Sequence, residues 1–70
     1  MSVEYNADAI RQRIKALGIS PNDVSKRSNG KVSRITVSRL MRGQMDTCQR
    51  DKVEALARAL MIPAEQLIKE

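Results

Sequence analysis

This sequence predicts an all-α fold, a compact bundle of about five short helices, and three observations lead there. Apolar residues recur at three- and four-residue spacing in short blocks, the period of a helix with one buried face. Each block opens near a capping residue and most close on a glycine. The chain is 41% hydrophobic, yet it has one Tyr and no Phe or Trp. Such an aliphatic core suits several short helices better than a β-sandwich.

The first block, NADAIRQRIKALG, places Ile10, Ile14 and Leu17 on one stripe that Ala7 extends backward, with Asn6 as N-cap and Gly18 as the stop. Arg11, Arg13 and Lys15 point away from the stripe and read as a solvated face. In ISPNDVSKRSNG, Ser20 caps, Pro21 suits the first turn, and Asp23 completes a short capping box. Asn29-Gly30 ends that helix. The third block, SRITVSRLMRG, runs from a Ser33 cap to Gly43. It carries Val37, Leu40 and Met41 on one face and Arg34, Ile35, Ser38, Arg39 and Arg42 on the other. Ile35 borders the buried stripe and suits either core or solvent.

After QMDT, the segment CQRDKVEALARALM carries Val53, Leu56, Ala57 and Leu60, with Asp46 or Thr47 as its start signal. Ile62-Pro63 interrupts it, and AEQLIKE reads as a short last helix presenting Leu67 and Ile68.

Seventy residues make one small domain, residues 1–70, near the size at which a core alone supplies only a few kcal/mol and a partner subunit helps. The lone Cys48 and the absence of a signal pattern fit a reducing cytoplasm. No apolar run is long enough to span a membrane. With no His and one Cys, the usual metal clusters and His-based triads cannot be assembled. No enzymatic activity, metal or cofactor is expected.

The charge is uneven. Residues Val24 to Met45 contain Lys26, Arg27, Lys31, Arg34, Arg39 and Arg42 and no acid, whereas the remaining chain carries 7 basic and 8 acidic residues. The net charge of +5 is therefore +6 in this segment and −1 elsewhere. Two short helices joined by a Gly-containing turn, the second basic and acid-free, have the sequence form of a helix-turn-helix over residues 20–42. In that motif the second helix lies in the major groove, where phosphates would repel a carboxylate.

The run VSRITVSRLMRG resembles the second half of the helix-turn-helix in the phage repressor and Cro family of lambda-repressor-like domains, whose usual form is Val-Ser-x-x-Thr-Ile-Ser-x-Ile/Leu-x-x-Gly. ALARALMIPAEQL and AIRQRIKALGISPNDV resemble the family's later and earlier helices, so the likeness covers residues 7–68. It implies that Ser33 caps the recognition helix and that Arg34, Ile35 and Arg39 reach bases. Thr36, Ser38, Arg42, Lys31 and Asn22 would lie near phosphates. Arg suits guanine O6 and N7, and Ile35 suits a thymine methyl. The chain departs from the family pattern at Pro21, Ser25 and Met61, and most in its turn, lengthened through Ser28-Asn29-Gly30-Lys31, where Ser28 replaces an apolar residue.

The function expected is sequence-specific binding of double-stranded DNA by a small transcriptional regulator of phage or mobile-element type, most simply a repressor. A homodimer on a palindromic operator is expected, because one short helix reads only about four base pairs. The dimer contact is expected at Ile62, Leu67 and Ile68, with Met1 to Tyr5 as an alternative arm. The rival is a protein-interaction module, such as an antitoxin-like partner binder, whose basic face meets an acidic protein.

Overall fold

The computed structural model describes residues 1–69. It is mostly helical, with α1 (Ala7–Leu17), α2 (Pro21–Arg27), α3 (Arg34–Arg42) and α4 (Arg50–Ala59), two short strands, β1 (Ser2–Val3) and β2 (Cys48–Gln49), and a 3₁₀ turn at Ala64–Gln66.

Local signals set the limits of the first three helices. The Asn6 side chain accepts from the Ala9 N–H at 3.2 Å, and α1 closes at Gly18, whose φ of 66° satisfies the last carbonyls without a Cβ penalty. At α2 the capping box is reciprocal. Ser20 Oγ accepts from the Asp23 N–H at 3.3 Å, while Asp23 Oδ2 accepts from the Ser20 N–H at 3.1 Å. The Ser20 backbone N–H foremost, and then the Ser20 hydroxyl, which donates to the same Oδ2 at 3.1 Å, hold the Asp23 carboxyl below its ordinary pKa. Ser33 Oγ accepts from the Thr36 N–H at 3.1 Å to start α3.

The second half differs from the sequence-based expectation in two ways. First, α4 starts at Arg50 rather than after Asp46 or Thr47, because Cys48 and Gln49 pair antiparallel with Val3 and Ser2. Second, the expected fifth helix is a single 3₁₀ turn. Pro63 has no N–H to give, and the backbone beyond the turn is drawn to the N-terminal segment instead. The Leu67 carbonyl accepts from the Asn6 N–H at 2.7 Å, the Lys69 N–H donates to the Glu4 carbonyl at 2.9 Å, and Tyr5 bridges Ile68. Residues 1–6 thus form an extended segment clamped between β2 and the C-terminal residues, rather than a projecting arm.

The core is built from all four helices, with α3 packed on α1 and α2, and α2 also on α4. Ile10, Val24, Val37, Leu40, Val53, Leu56, Leu60 and Leu67 are its fully buried members. Leu67, expected at a dimer contact, has no exposed surface to give to a partner, whereas Ile62 and Ile68 are half-buried. Tyr5 is the one aromatic in the cluster; its hydroxyl accepts from the Met45 N–H at 3.2 Å and holds the chain between α3 and β2. Cys48 is buried as well, and burial raises its thiol pKa, which suits packing more than reactivity.

The turn between α2 and α3 is closed by Ser28. Ser28 is buried, and its hydroxyl donates to the Ser25 carbonyl at 2.7 Å and accepts from the Val32 N–H at 3.2 Å. Asn29 and Gly30 pass through left-handed conformations, with φ of 58° and 78°. Val32 then drops into the core just before α3 begins. α2 packs chiefly on α3, and α3 also lies against α1.

Candidate nucleic-acid interface

α3 is anchored from behind by Val37 and Leu40, both fully buried. At about 100° per residue, Arg34, Ile35, Ser38, Arg39 and Arg42 fall within an arc of about 140° opposite that anchor. These five side chains line one open groove with Ser20, Pro21 and Asn22 from the start of α2 and Gln44 beyond α3. Arg34, Arg39 and Arg42 are exposed, and Ile35 is 59% exposed, so it belongs to the groove and not to the core.

Among the described residues no carboxylate lines this groove. Among the described residues the ion pairs are Arg11 with Asp8 and Arg50 with Glu54, and none of the described acids engages the three groove arginines. The first turns of α1, α2 and α4 contain Asp8, Asp23 and Asp51, as the helix dipole favours, whereas α3 has no acid there and begins with Arg34. A cation at that end costs a few tenths of a kcal/mol or more. The arrangement therefore gives up some helix stability and leaves three guanidiniums exposed in the groove.

Six of the nine sequence-predicted contact residues converge here: Asn22, Arg34, Ile35, Ser38, Arg39 and Arg42. The other three are placed differently. Ser33 and Thr36 are joined hydroxyl to hydroxyl at 2.9 Å in the α3 cap, off the arc, and this bond occupies part of their capacity to reach a ligand. Lys31 lies in a separate cleft, where Arg27, Lys52 and Arg58 are accompanied by Asp51 and Glu54. That cleft is of mixed charge, unlike the α3 groove.

Ser20, Pro21 and Gln44 line the groove although the sequence reading gave them no part in ligand contact. Gln44 had one available signal, its position immediately after the Gly43 stop, where the chain leaves the exposed end of α3. Two arginines read as plain surface also have structural roles. Arg11 Nη1 donates to the Met41 carbonyl at 2.6 Å near the end of α3, and Arg13 Nε donates to the Leu60 carbonyl at 2.9 Å at the end of α4. Both satisfy carbonyls that a helix end leaves open and place positive charge where the dipole favours it.

No protein-family model, curated protein or solved structure matches this chain.

Proposed function

We propose that the chain is a sequence-specific double-stranded DNA-binding regulator, in which α2 and α3 act as a helix-turn-helix and α3 enters the major groove. The observation that carries the proposal is the α3 groove: three exposed arginines, one exposed Ile and, among the described residues, no carboxylate, on a helix held rigidly from behind. Three exposed guanidiniums meet the phosphate field without losing internal ion pairs, and each can also present a planar donor pair to a guanine edge. α3 has 9 residues, about 14 Å of helix, which spans roughly four base pairs.

A homodimer on a palindromic site doubles what four base pairs can specify. One copy measures 27 × 21 × 21 Å, so a single copy is shorter than the ~34 Å that separates half-sites by one helical turn. Repression is the simplest output, since a domain of this size that occupies a promoter excludes polymerase without a further part.

Binding-site selection from random duplexes tests the proposal. The expected result is an enriched, two-fold symmetric consensus whose affinity falls with salt at a log-log slope of several units. Absence of enrichment for any duplex, together with tight binding to an acidic protein, would reassign the basic face to protein interaction.

A further inference from the structure

Three large apolar side chains stand in solvent: Met1 at 94% exposure, Met61 at 64% and Ile35 at 59%. Met1 precedes β1 and Met61 follows α4, both outside regular elements. Ile35 is different. It lies inside α3, where a β-branched residue is stiff at χ1 and a weaker helix former than Arg or Lys. Its surroundings are Arg34, Ser38 and Arg39 on the same helix and Pro21 across the groove. A rigid apolar surface among cations costs helix propensity and exposes hydrocarbon to water, so it calls for an apolar partner in the bound state. Phosphates and sugars do not provide one at the position α3 would occupy. On the major-groove edge of a base pair, the apolar group is the C5-methyl of a pyrimidine.

We propose, resting on the duplex-DNA reading above, that Ile35, with Pro21 lining the same groove, reads one C5-methyl group per half-site, and that affinity follows the methyl rather than the base carrying it. Ile and Pro side chains have no donor or acceptor and cannot tell the O4 of thymine from the N4 amino group of cytosine. At the position facing Ile35, 5-methylcytosine is therefore equivalent to thymine for these two residues, while Arg34 and Arg39 supply the hydrogen-bond readout beside it. Binding would then depend on the methylation state of the operator wherever that position is a cytosine.

The test uses the full chain and the duplex recovered by selection. Each thymine is replaced singly by deoxyuridine, and the methyl-sensitive position is then tested as cytosine and as 5-methylcytosine. The expected loss with deoxyuridine is about fourfold at one position per half-site, the worth of one buried methyl group, and about fifteenfold when both half-sites are changed. Adding the methyl to cytosine at that position should strengthen binding by the same factor. Ile35→Ala should abolish the methyl dependence while sequence-specific binding persists, and Ile35→Val should retain most of it. Specific binding with deoxyuridine tolerated at every position, or a methyl dependence that survives in Ile35→Ala, would overturn this inference and leave the duplex-DNA reading intact. Loss of all sequence preference in the unmodified protein would overturn both.

Discussion

The turn between α2 and α3 makes a sharp stability prediction, because its geometry depends on one buried hydroxyl. Ser28 is 6% exposed, and Val32, whose N–H it accepts, is 1% exposed. Ser28→Ala removes the bond to the Ser25 carbonyl at 2.7 Å and leaves the Val32 N–H without that acceptor. An orphaned buried donor costs about 1–3 kcal/mol. The carbonyl of Ser25 loses less, since Ser25 is only half-buried and the Gly30 N–H also donates to it. A net loss of about 2 kcal/mol is expected, which in a domain of this size lowers Tm by about 8–16 °C. Thermal unfolding by circular dichroism measures it, with Ser25→Ala as the control. Ser25 contributes its backbone carbonyl to the bond, so removing its side chain should move stability by no more than about 0.5 kcal/mol. The sequence resemblance noted above would place an apolar residue at Ser28. If burial of hydrocarbon were all the site required, Ser28→Ala would be neutral or stabilising, and that result would refute the account of the turn.

Three further outcomes are expected. Met61 holds a φ of 59° while 64% exposed, so Met61→Gly should relieve left-handed strain, lose little packing and raise stability by about 0.5–1 kcal/mol; a lower Tm would show that Met61 packs more than its exposure suggests. The Asp23 carboxyl is lowered by its bonds to Ser20, so its contribution to α2 is complete above the unfolded pKa of ~3.9 and is lost as pH falls through the folded value. An NMR titration should give an Asp23 midpoint below the ordinary one, and a midpoint at or above it would contradict the capping box. In DNA binding, Arg39→Ala should relax preference at one base position at a cost of about 1–3 kcal/mol, whereas Arg42→Ala should weaken all sequences alike and reduce the salt slope by about one; the opposite pattern would require a different rotation of α3 in the groove.

The limits of α1, α2 and α3 and the shared face of Arg34, Ile35, Ser38, Arg39 and Arg42 were readable from sequence because each depends on residues within one or two turns. A cap reaches three residues, a helical stripe repeats every three or four, and a glycine stop acts where it stands. Other features required partners far along the chain. The start of α4 is set by the pairing of Cys48 and Gln49 with Val3 and Ser2, and the loss of a fifth helix by Asn6 and Glu4 bonding to Leu67 and Lys69. Tertiary packing alone decided that Leu67 is core and that Arg11 and Arg13 bind the carbonyl ends of other helices. Backbone donors must find acceptors, but which distant acceptor is near is a property of the assembled core and not of any local stretch.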